Sequence, residues 1–501
     1  MITIKNNVQN ELILLTLEDI VPQDSLLRKI DKYIDFTFIN EKVKPLYSEN
    51  NGRPSIEPVV LFKIVFIQYL YGIKSMRETC KRIKTDAEYR WFLNIPFGQE
   101  TPHFSTFSKN YERRFKNSKI FEEIFQEIVE YALKYKLVDG STVFSDSTHK
   151  KANANKNRFE IEIKEVVKQR REWLEEEINE ERRKYNKKEF IYEDKSEKKE
   201  IKVSKSDKEA GYYHRDHKEQ GFMYLDHRTT DKKCNIILDC YVTAGNVHDS
   251  KPYLSRLEHI EKTFGFKIEK VALDSGYDSI DIKRGLKEKE IFGVIGYRRH
   301  GSKKSRKKKR QYEYDSERDI YLNKETGEVL EYKGKIDRLG YKKYENEARD
   351  QIILRHIKEE LNEEYRENRI SKKGKELYKQ RKETVERSFA DSKQNHGFRY
   401  SMYKGLEKNQ NYTYLSCAAQ NMKNIINKLE RVVKESLFNK KELILIYFFK
   451  IHLKSKKKPL TLIKRGGLST VWKKQQEFVV FMLLRFTFKK MNDELSLIEL
   501  K

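Results

Sequence analysis

The chain has 501 residues, long enough for two or three domains and a sizeable core. Its 105 Lys and Arg stand against 78 Asp and Glu, a formal charge of +27, with aromatics at 12%. An excess of that size points to a polyanionic partner through phosphate counterion release, and nucleic acid is favoured over membrane because no amphipathic basic anchor opens the chain.

Residues 1–50 read as an irregular lead with one helix near 26–33. Gly52-Arg53-Pro54-Ser55-Ile56-Glu57-Pro58 punctuates the start of a strong helix with a broad apolar face, ended by Gly72. A second helix, 75–83, opens on Ser75 with Glu78 three residues on, the capping-box pattern. A third covers 87–93, and 105–115 carries Lys109, Arg113 and Arg114 on one side. Short helices with tight turns and basic faces suit a helix-turn-helix-like DNA-binding domain over 1–117, though an all-helical scaffold without DNA contact fits the pattern equally. An amphipathic helix over 118–136 closes at Asp139-Gly140.

The stretch Ser141–Ala154, STVFSDSTHKKANA, reads as a short strand, Val143–Phe144, delivering Asp146 to its end, with the basic loop His149-Lys150-Lys151 following. Helical spacing of Phe159, Ile163, Val166, Val167, Trp173, Leu174 and Ile178 predicts a charged helix over 159–192, and 193–209 reads as a mobile linker. Strands are expected at 222–225 and 235–243, then a helix over 250–264, a strand at 270–273 ending in Asp274, a helix from Ser279 and a strand at 291–295. Strands alternating with helices after a hairpin predict an α/β domain with a mixed sheet over 118–434. It is interrupted by the charged insertion 159–209 and by a basic, strand-like insertion, 299–375, that follows the run of cations at 298–310. Helices are expected over 378–397 and 408–433, and 435–501 is a basic tail. The cysteines (Cys80, Cys234, Cys240, Cys417) form no CxxC pair, which argues against a disulfide framework or a zinc finger. MITIKNNVQN carries no signal-peptide pattern, and the longest apolar runs, 443–449 and 478–484, are too short to span a bilayer, so a cytoplasmic location without membrane contact is expected.

Three carboxylates stand out: Asp146 and Asp274 at strand ends, and Glu386 on a late helix where Lys393 shares its face. Two-metal phosphoryl chemistry needs oxygen ligands bridging ions about 3.5–4 Å apart, and strand-end aspartates facing a helical glutamate can supply them. Each alone also reads as a turn, cap or surface acid. Together they should converge within metal-bridging distance.

The ordered stretches RPSIEPVVLFKIVFIQYLYGIKS (53–75), YRWFL (89–93), FSDSTHKKANANK (144–156), GYYHRDHKEQGFMYLDHRTTD (211–231), YVTAGNVHDS (241–250), LDSGY (273–277) and VERSFADSKQNHGFRY (385–400) resemble the DDE transposases of bacterial insertion sequences. The resemblance implies an RNase H-like mixed sheet flanked by helices behind a helical N-terminal domain, with Asp146, Asp274 and Glu386 as the triad binding two Mg²⁺, for which Mn²⁺ can substitute. Relatives carry tyrosine, arginine, glutamate and lysine spaced along the last helix. Here Glu386 and Lys393 fit, while Tyr378 and Arg381 fall one residue off. Relatives often hold cysteines in the insertion after the second aspartate; this chain has none there, so no zinc is expected. The implied chemistry is hydrolysis at the ends of a mobile element and strand transfer into target DNA. Its partners would be terminal inverted repeats, target duplex and a second copy of the chain, associated with the bacterial nucleoid. Phosphate contacts would come from Lys393, Arg387, Arg399, Arg228, Lys150 and Lys151, and His227, His248 and Asp249 would support the site from behind. A metal-dependent nuclease without strand transfer, and an inactive DNA-binding remnant, remain as alternatives.

Overall fold

A computed structural model describes residues 14–48, 55–167, 170–194, 196–215, 219–298 and 310–455, with side chains to residue 434. The chain divides into two compact units, Met1–Arg431 and Val432–Lys501. The set of helices expected at the N-terminus is present: Leu26–Tyr33, Pro58–Leu70, Met76–Thr85, Ala87–Phe92 and Ser105–Asn110, with a further helix at Phe38–Val43. Pro58 sits in the first turn of its helix, where its missing N–H is not needed. Ser75 and Asp86 cap the next two, accepting from the N–H groups of Glu78 (3.2 Å) and Tyr89 (3.0 Å). Arg77, Lys81, Arg82 and Lys84 are left exposed, as are Lys109 and Arg113, whereas Arg114 turns back over the Tyr47 ring.

The strands are β1 (Thr142–Lys151), β2 (Phe159–Val167), β3 (Ser196–Ser204), β4 (Gly211–Tyr213), β5 (Gly221–Asp231), β6 (Ile237–Ala244), β7 (Lys270–Leu273) and β8 (Phe292–Ile295). Six of them build one mixed sheet in the order β4-β5-β1-β7-β8, with β6 also paired to β5. β1 runs antiparallel to β5 and parallel to β7, and β7 runs parallel to β8. Every residue of β5 is buried, including Asp226, His227 and Arg228, because β1 and β6 flank it and helices cover it.

Two expectations need correction. β1 is ten residues long rather than a short strand at Val143–Phe144: Asp146 lies within it, and His149, Lys150 and Lys151 are strand residues, not a loop. The charged segment is not one helix followed by a mobile linker. β2 and β3 form an antiparallel ribbon, Ile161 opposite Lys202 and Ile163 opposite Glu200, and the helix between them covers only Glu172–Lys184. The physical signal is the strict alternation of Phe159, Ile161 and Ile163 with Glu160 and Glu162, a period of two that suits a strand with one polar face.

The strand-like insertion is a five-stranded antiparallel sheet in chain order: β9 (Tyr312–Asp315), β10 (Ile320–Asn323), β11 (Val329–Ile336), β12 (Tyr341–Glu345) and β13 (Ile352–His356). Tyr312, Tyr321, Leu330, Tyr332, Tyr344 and Ile353 form its core. Most of the basic run, 299–309, and the tail beyond 455 lie outside the described residues. The helices Glu359–Ile370, Lys372–Arg381 and Arg387–Asn395 follow, and then Leu406–Ser455. Between Lys372–Arg381 and Arg387–Asn395 the chain makes a π-turn, Lys382–Glu386. One apolar core runs from Leu27 and Ile64 in the N-terminal helices through Val143 and Leu273 in the sheet to Met422 and Ile425. No helix among the described residues is long and apolar enough to cross a membrane.

Candidate active site

Alternation along β1 divides its polar residues between two faces. Asp146, Thr148 and Lys150 share one face, and each meets a group from the late helices: Arg381 Nη2 lies 2.7 Å from Asp146 Oδ2, and Lys393 Nζ donates to Thr148 Oγ1 at 2.5 Å. Lys150 Nζ lies 4.4 Å from the ring centres of both Phe398 and Tyr412. On the other face, Ser147 Oγ donates to Asp249 Oδ1 at 2.7 Å, and the His149 ring lies 3.8 Å from that of Tyr213.

The parallel register of β1 and β7 pairs Val143 with Val271 and Phe144 with Ala272. The same offset carried forward sets Asp274, the residue after β7, beside Asp146. Asp274 caps the 3₁₀ turn Ser275–Tyr277, its Oδ1 accepting from the Ser275 N–H at 2.6 Å. Gly296, after β8, permits close approach here. A Cβ at that position would stand 2.7 Å from the Tyr378 hydroxyl and 2.8 Å from the Ser275 nitrogen. Gly276 does the same for Asp249, whose Oδ2 would lie 2.9 Å from a Cβ.

Glu386 ends the π-turn. Five residues separate it from Arg381, and a π-turn carries five residues where an α-turn carries four, so the two side chains meet. Arg381 Nη1 lies 2.7 Å from Glu386 Oε1 while Nη2 holds Asp146, so one guanidinium joins two of the three carboxylates. Thr384 Oγ1 donates to the carbonyls of Gln380 and Arg381, a local competitor for the helical ladder at the point where it widens. Among the described residues, no group of three or more His, Cys, Asp or Glu side chains is arranged to hold a metal ion. A guanidinium lies between Asp146 and Glu386 instead.

Burial pushes the Asp146 carboxyl up to about 6; Asp274 and Glu386 push in the same direction, and Arg381 and the Ser147 N–H oppose them. Burial also raises Tyr378, with Asp274, Glu386 and Asp146 adding to it. Asp146, Asp274, Glu386 and Tyr378 thus all act on Arg381.

The other residues named from sequence divide sharply. Lys393 is half-buried beside Asp146, and its pKa is lowered by burial and then by Arg228 and Arg399. Arg387 and Arg399 are exposed. Lys151 pairs with Glu219 and lies 5.1 Å from the Tyr400 ring centre. Two expected phosphate contacts do not reach the surface. Arg228 is 1% exposed, pairs with Asp226 at 2.7 Å and donates to Ser392 Oγ (2.6 Å) and Gln420 Oε1 (3.2 Å). Lys150 is fully buried, and burial pushes it down to about 7. Both read as surface cations in sequence because charge usually marks solvent, yet they lie on the covered face of the central strands. His227 is buried against Thr243 (2.9 Å) and held down to about 4 by burial, while exposed His248 contacts Ser250 (2.7 Å).

Sequence reasoning passed over Arg381 and Tyr378 as one residue out of place. The available signal was that both are displaced by the same single residue while keeping their mutual spacing, as one inserted residue between Arg381 and Glu386 would do.

Two family models match the chain: Transposase domain (DUF772) over residues 15–113 and Transposase DDE domain over residues 342–426, the latter containing Glu386 and Lys393. The chain thus carries a transposase domain near its N-terminus and a transposase DDE segment around Glu386, and both matches support a DNA transposase. No curated protein matches it. Among solved structures, a piggyBac transposase synaptic complex with hairpin DNA aligns over 90% of this chain and 89% of its own, at 9% identity and a TM-score of 0.32, too low for one to speak for the other.

Proposed function

We propose that this transposase hydrolyses the phosphodiester at each end of a bacterial insertion sequence and joins the freed 3′-hydroxyl to target DNA, with Asp146, Asp274 and Glu386 as the catalytic carboxylates. The observation that carries the reading is the meeting of Asp146 and Glu386 on Arg381, together with the β1–β7 register that sets Asp274 beside Asp146. An RNase H-like core is supported by the strand order β6-β5-β1-β7-β8, in which only β5 runs against the others. The exposed cations of Met76–Thr85 support a DNA-binding role for the N-terminal helices.

The chemistry of the donor set suits Mg²⁺: Asp146, Asp274 and Glu386 offer hard carboxylate oxygens, and at Asp146, raised first by burial, a divalent cation would oppose the further push from Asp274 and Glu386. When bound, two such ions supply Lewis-acid stabilisation of the phosphate and a more nucleophilic water or 3′-hydroxyl. The chain's own residues position the DNA. Lys393 lies beside Asp146 to meet the reacting phosphate, and Arg387, Arg399 and Lys151 meet the flanking backbone. The substrates are duplex terminal repeats and target DNA, the active species is a dimer that handles two ends, and the setting is the bacterial nucleoid.

The test incubates the protein with Mg²⁺, a duplex bearing the repeats that flank its gene, and a target plasmid. Cleaved ends and a joined product are expected. Cutting without joining would make it a nuclease, and binding without cutting would make it a remnant; either result overturns the proposal.

A further inference from the structure

Arg381 is 5% exposed, and its guanidinium holds one oxygen of each of two carboxylates, Asp146 Oδ2 and Glu386 Oε1, at 2.7 Å each. Its third donor, Nε, is buried with no hydrogen-bond partner. A planar fork that bridges one oxygen of each carboxylate yet leaves Nε unsatisfied is held by charge rather than by a complete set of bonds. A divalent cation bridging the same two carboxylates would set its charge against the guanidinium that already lies between them.

We infer that Arg381 competes with the divalent cation: in the free protein it clamps Asp146 to Glu386, and metal loading requires it to turn away. The inference rests on the proposed function for the identity of the metal ligands. The π-turn supplies the means. Its widened turn starts immediately after Arg381, and Thr384 Oγ1 already draws on the Gln380 and Arg381 carbonyls, so the ladder is weakest where the arginine must pivot. The released guanidinium has a natural acceptor in the DNA phosphate that arrives at the same pocket, because its fork matches phosphate as well as carboxylate. Arg381 is thus a positioning residue: it keeps the acidic pocket assembled until metal and DNA replace it.

The experiment titrates Mn²⁺ into the DNA-free full chain and follows free Mn²⁺ by electron paramagnetic resonance. The proteins are wild type, Arg381→Met, Arg381→Lys and Asp146→Asn. Removing the competitor should tighten Mn²⁺ binding by about tenfold in Arg381→Met, equivalent to ~1.4 kcal/mol. Arg381→Lys, whose single ammonium cannot fork across both carboxylates, should fall between that variant and wild type. It also retains a charge in the pocket, so it reads the effect should Arg381→Met fail to fold. Asp146→Asn should lose binding. Unchanged or weaker Mn²⁺ binding in the Arg381 variants, with Asp146→Asn still defective, overturns the inference and leaves the function standing. Wild-type binding by Asp146→Asn overturns both.

Discussion

Arg228→Met isolates the buried charge pair of Arg228, directly across from Asp146 on the neighbouring strand, with Asp226. Arg228 and Asp226 are both fully buried on β5, and the guanidinium also donates to Ser392 and Gln420 and lies 4.9 and 4.7 Å from the ring centres of Phe389 and Phe398. Methionine fills most of the volume but leaves the Asp226 carboxylate facing Lys150, itself held down by burial, with a further contribution from Lys393. Asp226 can escape by taking a proton, and protonating a carboxyl of ordinary pKa ~3.9 at pH 7 costs about 4 kcal/mol. That figure caps the electrostatic loss. It agrees with the roughly 3–5 kcal/mol expected when one partner of a buried pair is removed. Urea unfolding should show the loss, and the double variant Asp226→Asn with Arg228→Met should recover most of it, because no charge is then stranded. DNA binding by folded Arg228→Met should keep its salt dependence. A loss under about 1 kcal/mol, together with a shallower salt dependence, would return Arg228 to the surface and refute its burial.

Three further outcomes follow from the geometry. Lys150 is held down to about 7 in the folded chain, whereas an unfolded lysine keeps its proton to about 10.4, so between those values the unfolded state binds more protons and stability rises with pH. The penalty is fully present below pH 7, and Lys150→Met should flatten the rise in urea midpoint between pH 7 and about 9. Gly296→Ala should push Ser275 or Tyr378 off position, costing about 1–3 kcal/mol by thermal melting and reducing cleavage more than DNA binding. Arg387→Gln and Arg399→Gln, both at exposed sites, should each lower the slope of log affinity against log salt by about 0.9 while leaving the melting temperature unchanged.

Much of the fold was legible in the sequence wherever one face was apolar. The helix Leu26–Tyr33 and the strand Lys270–Leu273 lie where the patterns put them, the helix because one face is apolar and the strand because its Val271, Ala272 and Leu273 are apolar on both buried faces. β1 was underestimated because SDSTHKK is polar on both faces: one meets Arg381, Lys393 and the Phe398–Tyr412 pair, the other Asp249 and Tyr213. No hydrophobic alternation marks such a strand. The β2–β3 ribbon was missed because its apolar residues, Ile161 and Ile163, are exposed, and the nearby Trp173, Leu174 and Ile178 of a true helix extended a helical period backwards across it. At the site, Asp146, Asp274 and Glu386 were singled out from their local settings. The place of Arg381 was not, because fixed α-helical spacing has no room for a π-turn. Arg228 and Lys150 show the converse. Their charge suggested solvent, and only the pairing of β5 between β1 and β6 shows that both are enclosed.

The most direct test of the account is single-turnover cleavage of a terminal-repeat duplex in Mg²⁺ by Asp146→Asn, Asp274→Asn and Glu386→Gln, each checked for unchanged DNA affinity. All three should bind the duplex as wild type does and cut it at least about a hundredfold more slowly, the scale set by losing one essential catalytic group. Cleavage at the wild-type rate by any one of them would contradict the assignment of that carboxylate and, for Asp146, the account as a whole.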